Sequence, residues 1–156
     1  MITIPDAAFF CCRSLKEVIA SVNLKTIGKY AFYGCLSLIK VFIPSSVESI
    51  GIGAFSGCSK LKKMKIPSLL KCIETYAFEK CKFEGVFSIP FGINSINFCS
   101  FVDCSNIVKL IIPDSVEKID KWAFCHFYSL KEVKLSSNLK CLLEGTFRYC
   151  KNLETI

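Results

Sequence analysis

The sequence predicts a parallel β-solenoid built from 23-residue repeats, with short strands and no long helix. One phenylalanine recurs at this interval without exception, and an apolar strand pattern recurs in the same phase. A hydrophobic content of 52% is ample for a continuous core. Since the interval never changes, no repeat contains an insertion or a deletion. The phenylalanines are Phe9, Phe32, Phe55, Phe78, Phe101, Phe124 and Phe147.

The first strand of each repeat is predicted by the pattern L-x-x-[VIM]-x-I-P. It is clearest at residues 61–67 (LKKMKIP) and 38–44 (LIKVFIP). Alternation of apolar and polar residues is typical of a strand with one face in the core, and strands at fixed spacing stack in parallel. A proline cannot donate to the ladder and therefore ends the strand. These prolines are Pro44, Pro67, Pro90 and Pro113.

Two further apolar columns predict a shorter second strand on the opposite wall. The Ala-Phe-x-x-Cys segment that follows predicts a 3₁₀ or single helical turn, too short to stand alone as a helix. The columns are Leu24, Val47, Leu70, Ile93, Val116 and Leu139, and Ile27, Ile50, Ile73, Ile96, Ile119 and Leu142.

One repeat departs from the pattern, because Glu84 stands where the first strand should open with leucine. We expect Phe83 to enter the core in its place. Gly85 next to it predicts a bend or bulge in this strand.

These columns, as they stand in residues 38–58 and 107–124, resemble the BspA-type leucine-rich repeat. The resemblance covers the whole chain and implies a leucine-rich-repeat solenoid. Proteins of that family, from anaerobic bacteria and parasitic protists, are commonly surface-exposed adhesins or antigens. The resemblance thus implies a non-enzymatic protein-interaction module at the cell surface. We expect residues 1–156 to form a single array of nearly seven repeats, a fragment of a longer array, because Met1 and Ile156 both fall inside a repeat.

The cysteines do not have the spacing of a metal or redox site, since the chain contains no Cys-x-x-Cys. We expect the repeated ones to be small, buried core residues. Cys125 and His126 are neighbours on a turn and do not have the arrangement of a nucleophile pair, so we expect an exposed turn histidine. Trp122 is expected to pack partly against the next turn. The sequence therefore predicts no catalytic residue, no metal site and no cofactor. The repeated cysteines are Cys12, Cys35, Cys58, Cys81, Cys104 and Cys150.

The location of the protein stays open. The odd number of cysteines and the lack of an Asn-x-Ser/Thr site favour reduced thiols, which would also fit the cytoplasm. No apolar run is long enough for a membrane span.

The charge pattern singles out the solvent-facing side of the first strands, which we expect to be concave. The x positions of these strands carry eight lysines and two glutamates, a net charge of +6, whereas the whole chain carries +7. The residues predicted to bind a partner are Lys40, Phe42, Lys62, Lys63, Lys65, Val86, Ser88, Lys109, Ile111, Lys131 and Lys134.

Such a mixture of basic and apolar side chains suits a protein or glycan with an acidic surface. The plain alternative is that the lysines only keep open strands soluble. Nucleic acid is disfavoured, because Arg13 and Arg148 lie off this face. A different function also stays open: the chain could be a structural spacer within a longer repeat protein.

Overall fold

The computed structural model describes residues 2–156 and is a parallel β-solenoid, as the sequence predicts. Met1, which marked the start of the array, lies outside the described residues. Each repeat contributes a first strand, a second strand and a turn, so the solenoid has three walls. None of residues 2–156 is helical.

Eleven short strands form two of these walls. All of their pairings are parallel. The first-strand wall contains β2 (Glu17–Ile19), β4 (Lys40–Phe42), β7 (Glu84–Ser88), β9 (Asn106–Ile111) and β11 (Glu132–Lys134). The second-strand wall contains β1 (Ile2–Ile4), β3 (Leu24–Ile27), β5 (Ser49–Ile50), β6 (Cys72–Ile73), β8 (Ser95–Ile96) and β10 (Lys118–Ile119).

The core is a stack of the repeated phenylalanines. Successive rings are close to parallel, with centroids 5.1 Å apart for Phe32 and Phe55 and 5.6 Å for Phe124 and Phe147. The repeated cysteines lie beside the stack, and every one of their thiols except that of Cys12 donates a hydrogen bond to a phenylalanine carbonyl of the preceding repeat. Cys58 Sγ, for example, lies 3.3 Å from Phe32 O. This bond gives cysteine a role at that position that an alanine could not fill.

The third wall is a series of tight turns that continues through the whole chain. Alternate N–H groups donate to the next repeat, as Phe55 N does to Ala77 O at 2.9 Å. Other N–H groups close i+3 turns, as Cys58 N does to Phe55 O. The expected helical turn thus takes the form of successive hydrogen-bonded turns. They do not extend into a helix because two residues of each turn have positive φ.

The turn-wall residues with positive φ form two columns, and one of these columns alternates small and large residues. It contains Ala7, Tyr30, Gly53, Tyr76, Cys99, Trp122 and Gly145, all with φ between 51° and 70°. A Cβ added to Gly53 would lie 2.6 Å from the Tyr30 ring, and one added to Gly145 would lie 2.8 Å from the ring of Trp122. Each aromatic ring therefore lies over a small residue of the next turn. Trp122 packs in this way, as predicted from the sequence.

The repeat that departs from the pattern behaves as expected. Phe83 is fully buried, with its ring 4.8 Å from that of Phe87. Pairing of β7 with β9 shifts register between Gly85 and Val86, and Gly85 has a φ of 73°. The substitution of Glu84 for leucine is thus absorbed by a bulge.

The prediction of a first strand at residues 61–67 is wrong. Among residues 2–156, this segment belongs to no strand, and the first-strand wall divides into β2–β4 and β7–β9–β11 on either side of it. The second-strand wall divides at the same level, between β5 and β6. Three lysines in one short segment explain part of this, because lysine is depleted in strands and Lys63 would lie opposite Lys40.

Candidate partner-binding face

The outward side chains of the first-strand wall form one surface, which we call the basic strand face. The pattern of β4 is exposed, buried, exposed, so Lys40 and Phe42 point outward while Val41 enters the core. All eleven predicted residues lie on this surface. Lys109 and Ile111 are half-buried, and the other nine are exposed: Lys40, Phe42, Lys62, Lys63, Lys65, Val86, Ser88, Lys131 and Lys134.

Three of the lysines are paired with glutamates of neighbouring repeats. Lys40 Nζ lies 2.7 Å from Glu17 Oε1, and Lys109 Nζ lies 2.7 Å from Glu132 Oε1. In both pairs the two residues are directly opposite each other in adjacent strands. Exposed pairs of this kind contribute little to stability, but each removes one positive charge from the surface that a partner would meet.

The third pair corrects the charge count made from the sequence. Glu84 stands in the leucine column and is therefore absent from that count, but it lies at the surface with Oε2 3.2 Å from Lys62 Nζ. Phe83 has taken the core position instead. Counting Glu84 lowers the net charge of the face from +6 to +5.

The remaining lysines of the face have no carboxylate within 4.0 Å among residues 2–156. They are Lys16, Lys63, Lys65, Lys131 and Lys134. Their charges are therefore available to an acidic partner. Two of them, Lys63 and Lys65, lie in the segment where the sheet is interrupted.

A groove of about 520 Å³ follows this interruption, between residues 39–43 and 63–65. Its apolar side chains are accessible to solvent: Ile39 is 55% exposed and Phe42 53% exposed. The ammonium of Lys40 lies 4.8 Å from the centre of the Phe42 ring, a cation–π contact that leaves the rest of the ring open to solvent. Volumes of about 300 to 1,000 Å³ are typical of ligand sites.

The backbone along the groove lacks the hydrogen bonds found at equivalent positions elsewhere. Ala20 N donates to Phe42 O and Ile112 N donates to Lys134 O, at 3.0 and 2.9 Å. The equivalent bond from Ile43 N to Lys65 O is missing. So is the bond from Lys62 N to Ile39 O, although Lys131 N donates to Val108 O at 2.8 Å. Two backbone edges with unbonded N–H and C=O groups therefore face this groove.

The cysteines have the features of structural residues. Burial raises the pKa of the Cys35 and Cys150 thiols from 9.0 to about 11. Burial also raises the pKa of Cys81 well above its usual value. A thiolate is the reactive form, so these thiols are protected from reaction at neutral pH. The prediction of a buried core residue is wrong for Cys12, which is exposed in the first turn of the stack, where Phe9 is also 40% exposed. Cys141 is exposed as well.

His126 lies in an aromatic cluster on the turn wall. It is half-buried, more so than expected, and its Nδ1 lies 2.6 Å from the hydroxyl of Tyr128. Cys125 is buried. Residues 2–156 contain no group of three or more metal-ligating side chains and no helix long and apolar enough to cross a membrane.

The repeat pattern and the geometry agree with a family model. The BspA-type leucine-rich repeat region matches six copies over residues 1–87 and 73–156, which together span the chain. The chain belongs to this family. No curated protein sequence matches it.

Three solved structures are similar to this solenoid. A leucine-rich repeat protein from Bacteroides ovatus is 36% identical over 99% of the chain, with a TM-score of 0.94. One from T. pallidum is 26% identical over 97% of the chain, with a TM-score of 0.87. One from Eubacterium ventriosum is 28% identical over 80%, with a TM-score of 0.68. The chain spans 40%, 71% and 32% of these three proteins, respectively.

The sequence located the basic strand face but missed the groove within it. The sequence does contain a feature that could have predicted the groove. Lys40 and Lys63 lie one repeat apart, so a continuous sheet would place their like charges side by side. Glu84 could also have been assigned to the surface once Phe83 was expected in the core.

Proposed function

We propose that this chain is a non-enzymatic interaction module that binds an acidic protein or glycan through its basic strand face. The observation that carries the proposal is the group of unpaired lysines on this one surface, interspersed with exposed apolar side chains. Val86 is 66% exposed and Ile19 75% exposed, next to the open side chains of the groove. Repeat solenoids commonly bind partners through such extended strand surfaces.

The apolar side chains distinguish this proposal from a purely protective role of the lysines. Lysines that only block edge association need no apolar neighbours, and exposed aromatic and aliphatic groups work against solubility. A partner that buries Phe42 and Val86 while meeting the lysines would gain from both. By family resemblance, we further propose that this module acts at a cell surface.

A pair of charge-reversal variants tests the face. Lys63→Glu with Lys65→Glu should weaken retention on sulfated glycan and on poly-L-glutamate, and should reduce the salt dependence of both. Lys60→Glu with Lys71→Glu changes the net charge equally at exposed positions off this face. The control should keep most of the binding. Equal losses from both variants would show that only net charge matters and would refute a dedicated face.

The alternative function is a structural spacer within a longer repeat protein. The unbroken 23-residue period supports it, because a spacer needs only regular length. Deletion of residues 84–106 removes one whole repeat and none of the face's lysines. A spacer should tolerate this deletion, whereas a shaped binding face should lose affinity. Thermal unfolding should be measured alongside, so that misfolding is distinguished from loss of the face.

A further inference from the structure

We propose that the groove between residues 39–43 and 63–65 binds an extended peptide strand that carries two acidic side chains separated by one apolar residue. This inference rests on the proposed function and narrows it to one subsite and one class of ligand. It depends on three features of the groove: its open backbone edges, its unpaired lysines and its accessible apolar side chains.

The open edges favour a ligand in extended conformation. Ile43 N and Lys62 N form no hydrogen bond within residues 2–156, although Ala20 N and Lys131 N, at equivalent positions, donate to the adjacent repeat. Ile39 O and Lys65 O, which would accept these bonds, also lack them. A peptide can supply backbone partners to such an edge, in the manner of strand addition.

The lysines specify the ligand's charge and its spacing. Lys63 and Lys65 are two residues apart, so they project to the same side of an extended segment. Neither has a carboxylate within 4.0 Å among the described residues. A ligand strand would place two acidic residues at the same i, i+2 spacing opposite them. The residue between would point the other way, toward the half-buried Met64.

The solenoid already contains this recognition geometry. Glu17 lies directly opposite Lys40 in the neighbouring strand, and their side chains are 2.7 Å apart. Glu132 and Lys109 repeat the arrangement at the same distance. In each case a valine follows the glutamate: Val133 is buried in the core, and Val18 is partly buried against it. A Glu-Val-Glu segment beside Lys63 and Lys65 would reproduce these contacts.

A second copy of this chain fits the groove poorly. The corresponding segment of a second copy also carries Lys62, Lys63 and Lys65. Like charges opposite each other disfavour strand pairing. An acidic strand from a different protein meets no such repulsion. The charge of the groove thus selects against self-association and for an acidic partner.

The test uses the peptide acetyl-Thr-Glu-Val-Glu-Val-Thr-amide and the intact chain. We expect binding detected by titration calorimetry, with shifts in the NMR signals of the Ile43 and Lys62 amides. The same peptide with glutamine in place of both glutamates should bind at least tenfold more weakly. A version with N-methylated valines, which cannot donate these backbone hydrogen bonds, should also bind more weakly.

Two variants separate this inference from the proposed function. Lys63→Glu with Lys65→Glu should weaken peptide binding at least tenfold. Lys131→Glu with Lys134→Glu, on the same face at β11, should change it less than threefold. Equal losses would overturn the groove while leaving the basic strand face in place. If the peptide does not bind while the chain is still retained on poly-L-glutamate, the groove is not the peptide site, and the proposed function of the basic strand face is unaffected. Self-association seen by ultracentrifugation and abolished by the Lys63 and Lys65 substitutions would assign the groove to a second copy.

Discussion

The turn wall and the first-strand wall differ at a single level of the solenoid. Across the level between the repeats of Phe55 and Phe78, the turn wall is closed: Phe55 N donates to Ala77 O, and Ser56 Oγ donates to Glu79 Oε2 at 2.8 Å. At the same level, residues 39–43 and residues 63–65 do not pair with each other and enclose the groove.

The difference places the cohesion of the array in the turn wall and leaves the first-strand wall free for the proposed binding. The turn wall is held by buried rings, buried thiols and a hydrogen bond from every second amide, and its phenylalanine and cysteine columns hardly vary between repeats. The first-strand wall depends on outward residues that differ in each repeat. It can therefore open locally without loss of the array, because the phenylalanine stack remains continuous behind it.

The largest expected effect comes from breaking the closed wall at this level. Phe78 is fully buried, and Phe78→Ala should lower the free energy of unfolding by about 3 to 5 kcal/mol, through lost apolar burial and a cavity. Urea denaturation followed by circular dichroism measures the loss. Phe9→Ala is the matched control, since Phe9 is 40% exposed and should cost markedly less. Similar costs for both would contradict a cohesive role for the buried stack.

Alkaline pH should weaken the same wall through its thiols. Cys35 and Cys150 have a pKa of about 11 in the folded chain because of burial, against 9.0 when unperturbed. The unfolded chain therefore loses these protons first as pH rises, so stability present below pH 9 should fall between about pH 9 and 11. Urea midpoints across this range measure the effect.

A double variant, Cys35→Ala with Cys150→Ala, should reduce the alkaline loss. An unchanged pH dependence in this variant would assign the effect to other groups. The exposed thiols Cys12 and Cys141 should react with a thiol reagent in the native chain before the buried ones do.

A smaller effect of opposite sign is expected at the small residue before the phenylalanine. Ser100 Oγ is buried and has no hydrogen-bond partner in residues 2–156. Ser100→Ala should stabilise the chain by about 1 kcal/mol, because it removes an unsatisfied hydroxyl. Thr146 occupies the same column, but its hydroxyl donates to Leu143 O at 2.7 Å. Thr146→Ala should therefore be destabilising by a similar amount, and the same sign for both thermal shifts would refute this reasoning.

The smallest effect on stability is expected from closing the groove. Lys63→Thr with Lys65→Thr replaces two residues depleted in strands by good strand formers, and should add at most about 1 kcal/mol. The sharper readout is hydrogen exchange, since the Ile43 and Lys62 amides should become protected as the strands pair. Substituting Lys60 and Lys71 by threonine should leave these amides unprotected. Rapid exchange in both variants would show that the lysines do not hold the groove open.

The sequence by itself determined the repeat length, the stack of phenylalanines, the buried cysteines and the bulge at Gly85. These features could be predicted because each depends on one column of residues at a constant interval, and a column of identical apolar side chains can only stack inside a solenoid. The surface that carries the lysines followed from the same alternation. Its use in binding a partner stays a prediction.

Only the tertiary structure decided which repeats pair and which separate. The pattern at residues 61–67 is as good as any other first strand in the chain, yet these residues form none. Pairing is a property of two neighbouring repeats: it depends on what Lys63 meets in the repeat before it and on the bulge in the repeat after it. Such outcomes follow from competition between neighbours in space, which the residues of one repeat do not specify.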